Sequence, residues 1–170
     1  QGHETSFPQL LCEWLQIPFE TIRFVANDSD RVSVGGGSHS GRSMRLVSIA
    51  LGEAVEELIA KGKAIAAHAL QSAEDDITYS DGAFHGPGGG SLDLWQAAAS
   101  GGGLSSAGEI TNRAGGYPYG AHVCEVEVDA DTGQVDIAAW TGVDDVGLAV
   151  NPVILHGQAH GAIMQGVGQA

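Results

Sequence analysis

The chain has 170 residues, with Lys+Arg 7 against Asp+Glu 21, a formal net charge of -14 and a 43% hydrophobic fraction. That length suits one ordinary domain or a piece of a larger one, and a mean hydropathy of +0.02 leaves enough apolar material for a core, which excludes a disordered acidic tail. The acidic balance argues against nucleic acid as a partner, because phosphate backbones are met by a Lys/Arg surplus. No stretch approaches the roughly 20 uninterrupted apolar residues of a membrane-spanning helix, and no basic-then-apolar run stands at the start.

Residues 4–16 read as a helix: Phe7, Leu10, Leu11, Trp14 and Leu15 form one apolar stripe, with Pro8 in the first turn. Ile17-Pro18 ends it, since the residue before proline is pushed out of the helical region. Thr21 to Asn27 alternates with β-branched and aromatic residues and predicts a strand. A loop rich in Asp, Ser and Gly follows from Asp28 to Ser38, then a long helix from about Ser40 to Leu70. The first half of that helix is apolar on nearly every side and is expected to be buried on more than one face. Its second half carries Glu56, Glu57, Lys61 and Lys63 and should reach solvent, with Gly62 as a point of bending or ending.

Ile77-Thr78-Tyr79, Asp81-Gly82 and Ala83-Phe84 spell a short hairpin with an Asp-Gly turn. Ser91 to Gln96 is expected to be a short helix capped by Ser91. Residues 100–120 are loop-like, with one short strand at most. Across Ala121–Trp140, Cys124, Val126 and Val128 alternate with Glu125, Glu127 and Asp129, and after an Ala-Asp-Thr-Gly turn Val135, Ile137 and Ala139 alternate in the same way. That pattern predicts a half-buried antiparallel hairpin. Asn151-Pro152 supplies an N-cap and N1 proline for a last helix through about Gln169. The expected class is α+β: antiparallel strands and a hairpin packed with a long buried helix and a C-terminal glycine-rich helix. No internal repeat is visible.

Gly is 26 of 170 residues, about double the usual share. It is clustered, at Gly35-Gly36-Gly37, Gly88-Gly89-Gly90, Gly101-Gly102-Gly103 and through 157–168. Clustered glycine points to special backbone conformations or close approach to something. Cys12 and Cys124 read as two buried reduced thiols, and a cytoplasmic location is the expectation that goes with them. The sequence opens Gln1-Gly2-His3 and stops at Gln169-Ala170 inside a helical pattern with no terminator, so a segment of a longer polypeptide is expected.

Three places offer chemistry. Gly35 to Ser43 delivers Ser40, Gly41, Arg42 and Ser43 to the start of a helix, where free N–H groups, hydroxyls and a guanidinium form an anion site. The alternative is a glycine-rich turn with serine caps; the P-loop and dinucleotide patterns are both absent. On the last helix, Gln158 and Gln165 are seven apart on one face, with Gly161 and Gly168 beside them. Either a polar ligand meets those amides, or the helix packs tightly on a neighbour. His156 and His160, four apart near Asp144-Asp145, have the spacing of a zinc-binding pair, but no third ligand is assigned, and surface or core-edge histidines are the plainer reading. No Cys cluster suits an iron–sulfur centre.

Taken in order, these segments resemble the C-terminal lobe of the molybdenum-binding large subunit of the xanthine oxidase family, which includes carbon monoxide dehydrogenases, aldehyde oxidoreductases and N-heterocycle hydroxylases. Gln1-Gly2-His3-Glu4-Thr5 resembles the tail of the family's Gly-Gln-Gly segment. Ser40-Gly41-Arg42-Ser43 resembles its loop-to-helix segment, and Tyr117 to His122 with the following hairpin its structural core. Val143 to Gly147, Asn151-Pro152, Gly157-Gln158 and Gln165-Gly166 match a long recurring stretch in order and spacing. The likeness covers essentially the whole chain.

The resemblance implies a subunit that binds molybdopterin with molybdenum, in bacteria usually as the cytosine dinucleotide. It implies hydroxylation of an aldehyde, purine or N-heteroaromatic substrate, or oxidation of CO, with water-derived oxygen. Electrons would leave through 2Fe–2S clusters and FAD on partner subunits or domains, and the remainder of the large subunit would be the nearest partner. Molybdenum is held by the pterin, so no protein metal ligand is expected. Arg42 and the helix N-terminus would take the phosphate side, with Ser40, Gly41 and Ser43 beside them. Gln1 and Gln158 would meet the pterin amides, with Gly2 and Thr5 beside Gln1, Gly157 and Gly161 allowing close approach, and Gln165 one layer out. The family's catalytic glutamate is expected beyond Ala170. Ser40-Gly41 departs from a commoner Gly-Ser, and His156 stands where Glu is frequent, which weakens the zinc reading. A non-catalytic remnant of the same fold is the other alternative.

Overall fold

The computed structural model describes residues 1–26, 28–32, 37–39, 41–110 and 115–170, in two compact units. Asn27, Gly35, Gly36, Ser40 and residues 111–114 lie outside the described residues. The first unit comprises Gln1–Ala114 with Val150–Ala170, the second Gly115–Ala149.

In the first unit, helix α1 spans His3–Leu15 and stops at Gln16, whose φ of 51° is left-handed and breaks the helical bond ladder ahead of Pro18. Pro8 stands beyond the first turn, inside the helix and buried. Its missing N–H removes one helical bond there, and burial of its ring with Phe7 offsets part of that loss. Of the strand expected over Thr21–Asn27, the described residues form none: Phe19–Thr21 is a 3₁₀ turn and residues 22–26 have no ladder partner. Alternation makes a segment fit a sheet, but no strand among the described residues pairs with it.

Helix α2, Arg42–Leu70, runs its full length through Gly62. That glycine does not end or interrupt the helix: a Cβ there would lie 2.8 Å from two ring carbons of Phe84, so its bare backbone is the seat of the core aromatic. Burial on α2 falls at Val55, Gly62, Ala66 and Ala67, so the first half buries Val55 alone, and of residues 42–50 Ile49 is exposed and the others half-buried. The expected burial of the first half on several faces is therefore corrected.

Strands β1 (Thr78–Ser80), β2 (Ala83–His85) and β3 (Ser91–Asp93) form an antiparallel sheet in that order. The Asp-Gly turn is present, with Asp81 and Gly82 both left-handed at φ 50° and 72°. Phe84 and Ile77 fill a core with Ala66, Ala67 and Ala97, and Tyr79, Ile65 and Leu94 pack around it. Ser91 is a strand residue paired with His85, and the cap is Asp93: its carboxylate accepts from Gln96 N while Gln96 Oε1 accepts from Asp93 N, starting helix α3 at Leu94–Ser100. Beyond it, residues 104–109 run along α2 without a strand, tied by Ser106 Oγ to the Ala54 carbonyl (2.6 Å) and Lys61 Nζ to the Ser105 carbonyl (3.0 Å). Helix α4, Pro152–Gln169, starts at Asn151, whose side chain accepts from Ile154 N.

The second unit is one hairpin, β4 (Tyr119–Val128) with β5 (Val135–Asp145), whose register shifts at a bulge between Glu125 and Val126. The hairpin is expected to be half-buried, but every residue of both strands is exposed, Cys124 included, because a two-stranded unit has no second layer of its own to cover its apolar face. Cys12 is half-buried rather than buried. Among the described residues no helix is long and apolar enough to cross a membrane.

Candidate functional site

Gly2 leads into α1 with φ 69°, and its carbonyl accepts from Thr5 N (3.1 Å) and Ser6 N (2.9 Å). Glycine suits that left-handed start, and the missing Cβ makes room for Ile154 of α4, whose Cδ1 would lie 2.6 Å from it. One helical turn beyond Ile154, Gln158 Nε2 donates to Gln1 Oε1 at 2.9 Å. The two glutamines picked out in the sequence, 157 residues apart, thus meet. That bond uses one donor and one acceptor, leaving the Gln1 amide N–H and the Gln158 carbonyl for another molecule.

Beside Gln1 and Gly2 opens a cavity of about 290 Å³, with Phe24, Ala26 and Ser38 on its other walls. Ser38 in turn accepts from Ser43 Oγ at 2.8 Å, so the loop-to-helix segment reaches the same place. At the head of α2, Gly41 is left-handed (φ 63°), Arg42 is the first helical residue, and no side chain caps the helix. Arg42 N donates to the His39 carbonyl (3.2 Å), and Gly41 as N-cap supplies no side-chain acceptor to the first turn of this 29-residue helix, which favours an anion site there. Arg42 is half-buried, and Ser40 lies outside the described residues. Thr5 is in the first turn of α1 but not in the cavity wall, and Gln165 is exposed on α4 away from the glutamine pair. Gly157 and Gly161 have nothing within 4 Å of a Cβ position among the described residues, so their faces are open there.

His3 beside the cavity stacks on Phe7 at 4.9 Å, and burial pushes its imidazole pKa down. Ser38 belongs to the Gly35–Ser43 segment singled out in the sequence, but Phe24 and Ala26 do not stand out there: they are an aromatic and a small residue in a stretch that reads as a strand, and only folding brings them to Gln1.

The zinc reading finds no third ligand. His156 and His160 meet edge-to-face at 6.3 Å, and among the described residues no three His, Cys, Asp or Glu side chains gather. Asp144 is engaged within its own hairpin, where its Oδ1 lies 3.0 Å from His122 Nε2 while Trp140 Nε1 donates to His122 Nδ1, also at 3.0 Å. Both ring nitrogens of His122 are thus occupied, which makes it a hairpin lock rather than a base.

The donor set suits a pterin with a phosphate arm: paired carboxamides for the heterocycle's edge, and a helix start with a glycine N-cap and a guanidinium for the phosphate. Comparison with known proteins agrees. A family model described as the molybdopterin cofactor-binding domain matches residues 1–170. The carbon monoxide dehydrogenase large chain of Hydrogenophaga pseudoflava is 31% identical, over 98% of this chain and 22% of that protein. Subunit gamma of the 6-hydroxypseudooxynicotine dehydrogenase complex of Paenarthrobacter nicotinovorans is 32% identical, over 100% of this chain and 23% of that protein. Among solved structures, a Cu,Mo-CO dehydrogenase in the carbon monoxide reduced state superposes with TM-score 0.81 at 29% identity, covering 94% of this chain and 22% of its own. Quinoline 2-oxidoreductase from Pseudomonas putida 86 superposes with TM-score 0.76 at 25% identity, covering 99% and 23%. The chain spans between a fifth and a quarter of the length of these relatives. It belongs to the molybdopterin cofactor-binding domain family of xanthine oxidase-type large subunits.

Proposed function

We propose that this chain is part of the cofactor cradle of a molybdenum hydroxylase. The observation that carries the proposal is that Gln1-Gly2 and Ser38 line one cavity, while Gln158 is hydrogen-bonded to Gln1 and Ser43 to Ser38. Gln1 and Gln158 hold and orient the pterin edge, Arg42 and the α2 N-terminus take the phosphate, and Ser43 and Gly41 line its approach. When bound, the cofactor supplies the two-electron oxidation of a substrate carbon, or of CO, with water-derived oxygen. The cofactor form is the cytosine dinucleotide, the site of action the cytoplasm, and the electrons pass to 2Fe–2S and FAD partner subunits. The similarity to a carbon monoxide dehydrogenase large chain and to a subunit of a 6-hydroxypseudooxynicotine dehydrogenase complex supports this reading.

The test is metal content in the full-length protein purified with its partners. Molybdenum near one atom per large subunit is expected, and Arg42→Ala should lower it at least severalfold, as loss of a charge-assisted phosphate contact does. Unchanged molybdenum in the Arg42→Ala enzyme would remove Arg42 from the site, and zinc in place of molybdenum would overturn the assignment.

A further inference from the structure

Helix α4 carries Gln158, yet none of its residues is buried, so close packing does not by itself fix where along the first unit the helix starts. Among the described residues, two side-chain hydrogen bonds join α4 and its N-cap to α1 and the residues just before it, and they stand at opposite ends of one stretch. Gln158 Nε2 meets Gln1 Oε1 at 2.9 Å, and seven residues earlier Asn151 Nδ2 donates to Gln9 Oε1, also at 2.9 Å. Gly2 against Ile154 lies between them. The two bonds therefore tie α4 and its N-cap to the N-terminal segment in opposite chain order, at points seven residues apart on the α4 side, roughly 10 Å along a helix.

Asn151 serves two purposes at once. Its Oδ1 accepts from Ile154 N at 3.0 Å and caps α4, while its Nδ2 is committed to Gln9. The cap thus fixes the start of the helix in space as well as in sequence. A slip of one residue there would turn Gln158 by 100° and move it about 1.5 Å, enough to lose Gln1 and the edge the pair presents. The Gln9–Asn151 bond is half-buried, which protects it from competition by water.

We infer that Gln9 is a positioning residue of the cofactor site: through Asn151 it sets the place of α4 on α1 and so the alignment of Gln158 with Gln1. The inference rests on the cradle reading above and extends it to a residue remote from the cavity wall.

The experiment uses the full-length large subunit in its assembled enzyme and follows release of the pterin, by its fluorescence after oxidation, together with molybdenum content. Gln9→Leu removes the acceptor, and Gln9→Glu keeps it. Asn151→Ser keeps an N-cap and removes the donor. Gln9→Leu and Asn151→Ser should each release the pterin about five- to tenfold faster, the double variant should be no worse than either, and Gln9→Glu should match the unaltered enzyme. The inference is overturned if either single variant retains cofactor normally, if their effects add, or if Gln9→Glu is as damaging as Gln9→Leu. Should Gln9→Leu fail to assemble, Asn151→Ser with Gln9→Glu still decides it. Gln158→Ala separates the two readings: faster release there with normal Gln9→Leu overturns only the positioning role, and normal release in both overturns the cradle.

Discussion

Gly2 combines two demands that are usually found apart, a left-handed φ of 69° and a side chain from another helix where its own Cβ would be. An alanine there would cost about 1–2 kcal/mol for the backbone conformation alone, and Ile154, branched at Cβ and half-buried, cannot swing away freely. Gly2→Ala should therefore lower the melting temperature of the full-length protein by several degrees and also reduce its molybdenum content, because α4 must shift to make room. A variant with a normal melting temperature and full metal content would show that the approach of Ile154 carries nothing. At this scale the sequence was readable where a residue's chemistry was unusual for its place. Gln158 stood out because amides beside glycines on a helix call for a ligand or close packing, Gln1 was offered only by the family resemblance, and the two meet. Gln9 did not stand out: a glutamine on a helix flank is ordinary, and its partner is 142 residues away.

The elements were legible wherever their signals were local. The Asp-Gly turn, the Asn151-Pro152 helix start and the Ala-Asp-Thr-Gly turn each depend on a few neighbouring residues, and each formed. The strand expected at Thr21–Asn27 depended on a partner elsewhere, and a period-2 pattern cannot say whether one is present. Ser91 and Asp93 competed for one cap. Asp93 won because Gln96 stands three residues on and returns the bond, a reciprocity Ser91 lacks. The turn of the β4–β5 hairpin carries a pH dependence of definite sign. The Asp129 carboxyl accepts from Thr132 N, the Thr132 hydroxyl and Asp131 N, and these bonds hold its pKa below the ordinary aspartate value. A depressed carboxyl stabilises the folded turn above the pKa of an unfolded aspartate, and that contribution is lost as pH falls through the lowered value. Hydrogen exchange at the Asp131 and Thr132 amides should accordingly rise relative to the strands on acidification, and Asp129→Ala should remove the dependence by leaving both amides unprotected at every pH. Exchange that stays flat into the acid range would show that the backbone bonds from Gly133 to Asp129 and from Asp129 to Gln134 suffice to hold the turn.

Across the whole molecule, what the sequence encodes and what this chain buries differ most in the second unit. One face of the hairpin collects Cys124, Val126 and Val128 from β4 with Trp140, Ile137 and Val135 from β5, the register a core-facing sheet would have. Val126 is nevertheless 52% exposed, Val128 and Val135 58% each and Ile137 47%. Alternation of this quality is costly to leave in water, at about 25 cal/mol per Å² of apolar surface, so the pattern calls for a covering surface, which the described residues of the second unit do not themselves contain. The relatives are more than four times longer than the aligned stretch, which gives such a surface a source. The chain expressed by itself should then bind an apolar-surface dye and associate at micromolar concentration, and Val126→Glu or Ile137→Glu should reduce both. In the full-length protein the same substitutions should act in the opposite sense, because a charge would be forced under the covering surface at a cost of several kcal/mol: soluble yield and melting temperature should fall while dye binding rises. If instead the full-length protein tolerates glutamate at both positions without a change in melting temperature, the hairpin face is open in the whole protein too, and its apolar pattern serves contact with another subunit.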